Sequence, residues 1–162
     1  MRKRMLAIVL LLAAAVLAGC MEKIDKLKIE APAYMYGDQA KSVDVMIEGP
    51  FSHADNLFTG SMRIGGKKLE TIVFTPGTGL IHYDERNLAN GEGPKRTDLG
   101  LIYYDKETMA YAIEVTDAAL YASLTGKKQE DQSKLIISSP ANNEEEANAV
   151  HDRLTKLDYF ED

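Results

Sequence analysis

The chain of 162 residues holds one cysteine, Cys20, and three histidines, His53, His82 and His151. A thiolate is a strong nucleophile and a soft ligand. An imidazole is the side chain that changes charge near neutral pH. His53 and Asp55 lie two residues apart, as do His82 and Asp84. His53 and Asp55 fall in a loop, whereas His82 and Asp84 fall at a strand end, where that spacing puts both side chains on one face. A carboxylate in either pair can orient an imidazole as a general base or a ligand. Such pairs are more commonly surface polar residues beside turns. His151 falls between the apolar positions of a helix and its flank, which suits a boundary residue.

Other chemistries have no pattern to rest on. No Gly-x-Ser-x-Gly elbow occurs, so a serine hydrolase is not supported. Gly77-Thr78-Gly79 is too short for a phosphate loop and leads into a strand. Asp84-Glu85-Arg86-Asn87 offers oxygen, but Arg86 spoils a calcium site and no twelve-residue loop follows. The sequence assigns no catalytic residue, no metal ligand and no cofactor.

Cys20 sits in a different context. Arg2, Lys3 and Arg4 carry positive charge, Met5 to Val16 is uninterrupted apolar sequence, and Leu17-Ala18-Gly19-Cys20 closes it. A charged start, a short apolar core and a small-residue end form a secretory signal. The run from Met5 to Ala18 spans about 21 Å as a helix at roughly 1.5 Å per residue, short of a bilayer core of about 30 Å.

Leu17, Ala18, Gly19 and Cys20 resemble the lipobox of bacterial lipoproteins at all four of its positions. The resemblance implies a diacylglyceryl group on the Cys20 thiol and cleavage between Gly19 and Cys20. It places the mature protein on the extracytoplasmic face of the cell membrane. Two acyl chains anchor stably where one does not. The expected organisation is a signal peptide over 1–19, a lipid-anchored tether over 20–40 and a single domain over 41–162.

Composition fits that setting. The whole chain has 19 basic and 25 acidic residues. Removing Arg2, Lys3 and Arg4 leaves 16 basic against 25 acidic, a net charge of −9. An acidic surface does not suit nucleic acid or anionic head groups, which are neutralised by Lys and Arg. Lipid on Cys20, not charge, must hold the chain at the membrane, and an envelope protein is the partner within reach. With its one cysteine consumed, the mature chain has no disulfide or thiol chemistry.

Downstream the pattern is mostly of strands. Ser42 to Glu48 alternates, with Val43, Val45 and Ile47 on one face and Gly49-Pro50 as a stop. Gly65-Gly66 suits a tight hairpin turn between Phe58–Ile64 and Lys67–Phe74. That turn pairs Ile64 with Lys67, Met62 with Leu69 and Phe58 with Val73. A further strand follows at Leu80 to Tyr83. Asp84 to Asp98 reads as a long polar connection. Leu99–Tyr104 and Met109–Val115 form another hairpin, and Leu135–Ser138 is apolar enough for an inner strand. Thr116-Asp117 starts a short helix that Gly126 stops. Ser139 and Pro140 suit the start of a last helix, with Ala147, Val150, Leu154 and Leu157 as its apolar stripe. The expectation is α+β: an antiparallel meander of about six or seven strands with a C-terminal helix on one face.

Phe58 to Gly66, Leu99 to Tyr103 and Tyr111 to Ile113 are similar to small exported or lipid-anchored β-rich proteins of Gram-positive spore-formers. The likeness implies export and a β-rich fold, and no activity. The expected function is a membrane-anchored, non-enzymatic binding or accessory module. Its binding element would be the Asp84–Asp98 loop or a sheet face away from the last helix, with an exposed apolar or aromatic patch for which Tyr83, Tyr103, Tyr104 and Tyr111 are candidates. The rival is an envelope or cell-wall enzyme with a carboxylate–histidine site.

Overall fold

The computed structural model describes residues 24–75, 79–85 and 95–157. They form one antiparallel sheet of ten strands. In chain order these are β1 (Ile24–Ile29), β2 (Ala33–Gly37), β3 (Lys41–Val43), β4 (Val45–Ser52), β5 (Leu57–Ile64) and β6 (Lys67–Phe74). β7 (Leu80–Glu85), β8 (Lys95–Asp105), β9 (Ala110–Val115) and β10 (Leu135–Ser139) complete it. Among the described residues two helices accompany the sheet, α1 (Ala118–Thr125) and α2 (Glu144–Leu154). The α+β class and the C-terminal helix on the sheet are as expected, whereas the strand count exceeds the expected six or seven. Cys20 and the residues before it lie outside the described residues, as do 76–78 of the turn before β7. The middle of the expected 84–98 connection, 86–94, lies outside them too, and its flanks are strand.

The meander is the run β4 to β9, each strand paired to the next. Gly65 and Gly66 both have positive φ, as a tight hairpin turn requires. From the turn, Ile64 pairs with Lys67 and Met62 with Leu69, as expected. Beyond them the register slips by one, so Gly60 pairs with Ile72 and Phe58 with Phe74, not Val73. Two residues of β6, Glu70 and Thr71, there oppose the single Ser61 of β5, which is a bulge. The slip turns Ile72 and Phe74 inward, and the Phe58 and Phe74 rings stack with centroids 4.7 Å apart.

Two additional strands, β1 and β2, come from the stretch expected to be a tether. β1 pairs with β4, and β2 with β3. Residues 24–52 are therefore one long hairpin, bent at Ala31-Pro32 on one leg and at Asp44 on the other. Asp44 divides the expected Ser42–Glu48 strand in two, and Gly49-Pro50, expected as a stop, lies within β4. One half of the hairpin pairs with β5 and the other with β10, so its halves form opposite edges of the sheet. A sheet whose edges belong to one bent hairpin must curl, and strands that bend make such corners.

Curling closes one face on itself. Met35, Ile47, Phe58, Ile72, Ile102 and Ile137 meet inside with side chains from all the other strands, β3 adding Val43. The interior is packed with aliphatic and aromatic side chains, and charged residues such as Lys68 and Glu70 point out. A strand facing lipid shows the reverse pattern. Tyr104 and Tyr111 belong to this interior, Tyr83 packs against it, and Tyr103 lies beside α2. The expected exposed tyrosine patch is overturned: alternation turned two of the four rings into what proved to be the core.

α1 closes the upper end, where the Gly65-Gly66 turn lies. Asp117 caps it by accepting from Leu120 N at 2.6 Å, and Gly126 ends it in the left-handed conformation. Leu120, Tyr121 and Leu124 are its buried residues. Asp38 Oδ2 accepts from Tyr121 Oη at 2.9 Å and from Lys134 N at 2.7 Å, tying the β2–β3 turn to α1 and β10. α2 lies across the outer face over β2, β10, β9 and β8. Its cap is Asn143, not Ser139, because Ser139 completes β10 opposite Tyr111. Asn143 Oδ1 accepts from Glu146 N, and the Glu146 carboxylate reaches back to Asn142 and Asn143.

Candidate functional site

At the lower end, opposite α1, the free edge of β1 faces the tip of the β8–β9 hairpin. Between them is a slot of about 160 Å³ lined by Leu27, Phe51, Tyr104 and Met109, with Asp25, Lys26, His53 and Lys106 around it. Alternation places Leu27 inward on β1 and Phe51 inward on β4, so the floor of the slot is core. The rim comes from strand ends and turns.

His53 stands in the β4–β5 turn. Its Nε2 donates to Asp25 Oδ2 at 2.6 Å, and its ring meets Phe51 edge-on at 5.2 Å. A carboxylate only accepts, so the proton is on Nε2. The carboxylate that orients His53 is therefore Asp25, 28 residues away, and not Asp55. Asp55 instead closes the turn with Ser52, accepting from its hydroxyl at 3.0 Å. Nothing in the sequence spacing signalled Asp25, because β1 was not expected to be part of the sheet. Tyr104 donates to Met109 Sδ at 3.0 Å. Burial, with Asp105 adding to it, pushes its pKa up to about 12 and keeps it a donor. Met109 has φ +60 and is 42 % exposed, an unusual conformation for an apolar residue held in water.

The other pair does not form. His82 Nε2 and Asp84 Oδ1 are 4.0 Å apart, too far to bond. Asp84 accepts from Arg96 Nε at 3.2 Å instead. His82 Nε2 is buried without a hydrogen-bond partner. Its pKa is lowered by burial first and the Arg96 charge second.

His151 has the richest contacts of the three. Its Nε2 donates to Glu114 Oε1 at 2.8 Å, and its Nδ1 faces Tyr36 Oη at 3.1 Å. Tyr36 is pushed up to about 12 by burial first, then by Asp152, Glu114 and Glu144, so it donates to Nδ1. Tyr36 and Tyr103 both meet the imidazole edge-on. The cluster is the interface of α2 with the sheet, and its chemistry is to fix that helix. Glu114 was not anticipated, although it is the one charged residue in Ala110–Val115.

A wider hollow of about 430 Å³ lies over the hairpin bend, lined by residues including Pro32, Asp44, Arg63 and Asn142, and it contains no histidine. Among the described residues no three His, Cys, Asp or Glu side chains stand together in a way that could hold a metal ion. No helix among them is long and apolar enough to cross a membrane. No family model, curated protein or solved structure matches the chain. Among the described residues, fold and slot together define a small curled-sheet module with a packed interior, a helix over its upper end and an apolar slot at its lower end.

Proposed function

We propose that the protein is a lipid-anchored extracytoplasmic module that binds or assists an envelope partner rather than transforming a substrate. The observation that carries this reading is Leu17-Ala18-Gly19-Cys20 at the close of a short apolar run, with Cys20 the only cysteine. A thioether-linked diacylglycerol there holds the module at the membrane by burying two chains at about 0.8 kcal/mol per CH₂. Two features of the folded part support it. The interior is complete without a disulfide, so consuming Cys20 costs the fold nothing. The chain enters the sheet at Ile24, only four residues later, so the module sits close to the bilayer.

The test is fractionation of a Cys20→Ala variant. The reading expects the variant in the medium or as unprocessed precursor, with wild type in the membrane. Equal membrane retention of both would end it. A second reading, an envelope or cell-wall enzyme, rests on the His53–Asp25 pair at the slot. It requires loss of a measured hydrolytic activity in His53→Ala at unchanged stability.

A further inference from the structure

We infer that the lower end of the module rests on the bilayer, with Ile24 and Met109 inserted among the lipid chains; this rests on the lipid-anchor reading above. Four large apolar side chains are exposed among the described residues: Ile24 at 56 %, Leu80 and Met109 at 42 % and Leu157 at 39 %. Scattered exposed apolar residues mean little. Here two of them flank the place where the anchor must lie. Ile24 begins β1 four residues after Cys20, so the two are at most about 14 Å apart along an extended chain. Met109 stands across the slot from Asp25 and Lys26, the residues that follow Ile24. Leu157 comes one turn after Leu154, which packs on Ala110 and Ala112 beside the same hairpin tip. Arg153 binds Asp105 at the base of that tip.

Met109 supplies an independent argument. Its φ of +60 is a conformation that glycine or asparagine adopts at little cost and methionine does not. The strained backbone keeps the Met109 side chain over the mouth of the slot, where its Sδ accepts from Tyr104 Oη while 42 % of the residue stays exposed. Strained residues persist where they serve something other than stability. Methionine is suited to a fluid, irregular apolar surface. Lysines 26 and 106 lie on the same rim, where long side chains can rest at head-group level. The acidic mature chain gives no reason to invoke anionic head groups, so apolar insertion and the anchor set the orientation.

The test uses the absence of tryptophan from the chain. Ile24→Trp, Met109→Trp and, at the opposite tip, Lys67→Trp are each extracted from membranes as full lipidated proteins. They are reconstituted in phosphatidylcholine vesicles with brominated acyl chains. The inference expects all three to float with the vesicles. It expects blue-shifted, bromine-quenched emission at positions 24 and 109 and unquenched emission at 67. Flotation with no quenching at 24 and 109, or with equal quenching at all three, overturns the orientation and leaves the anchor standing. A failure to float overturns the anchor and the orientation with it. A blue shift in detergent that grows with protein concentration assigns the patch to a second copy of the chain and overturns the lipid contact.

Discussion

His82 shows how a single residue's surroundings set its chemistry. Its alternation with Ile81 turns it to the outer face of β7, yet it is 9 % exposed and its Nε2 bonds to nothing. Burial and Arg96 lower its pKa below 6.5, against the opposing pull of Asp84 and Asp98. The unfolded chain then binds this proton more readily than the folded one. The contribution of neutral His82 is fully present above pH 6.5 and is lost as pH falls through 6.5 towards the folded value. Thermal melts between pH 8 and 5 should show wild type losing more stability on acidification than His82→Gln. Parallel curves would remove His82 as a titrating site. The sequence displayed all three histidines but not their partners. His53 finds Asp25 and His151 finds Glu114 across 28 and 37 residues, distances that no local spacing encodes.

At the scale of elements, local signals were legible where they competed with nothing. The Gly65-Gly66 turn, the Asp117 cap and the Gly126 stop all lie as read. The start of α2 was misplaced because Ser139-Pro140 has the residue types of a helix start while β9 pairs with Ser139 as strand. The bulge beside Met62 was invisible because it follows from how β5 and β6 bend around the core. Gly60 marks that site. A Cβ on it would overlap the Glu48 carbonyl oxygen and the Phe58 ring, and Gly49 opposite is equally confined. Gly60→Val should cost about 3 kcal/mol, at the upper end of ordinary single-residue effects, measured by urea unfolding. A change below about 0.5 kcal/mol, the range of neutral surface substitutions, would mean that β4 and β5 are not held this closely.

For the whole molecule, the main surprise is where the domain begins. Residues 20–40 read as a tether, with a short strand or helical turn open where charged and apolar residues alternate over Glu22–Glu30, because Pro32 and Gly37 punctuate the stretch. An edge strand needs only one inward face, and Leu27 and Ile29 supply it, at 6 % and 4 % exposure. Deleting residues 24–29 should remove about 5 kcal/mol or more, from two buried aliphatic side chains at roughly 1.5–3 kcal/mol each plus a lost ladder. That is a large share of the roughly 5–15 kcal/mol that holds a domain together. An unchanged urea midpoint would restore the tether. The same geometry explains why fold class was readable and strand count was not. The six-strand meander is local and β10 was legible as an apolar inner strand, while β1, β2 and the division of one expected strand into β3 and β4 depend on a hairpin whose halves lie at opposite edges of the sheet.

The account turns on Cys20, and its covalent state can be read in one spectrum. Intact mass spectrometry of the protein extracted from membranes should give the chain from Cys20 to Asp162 plus a diacylglyceryl group. A membrane-bound chain that still begins at Met1, or one that begins elsewhere and carries no lipid, would contradict it.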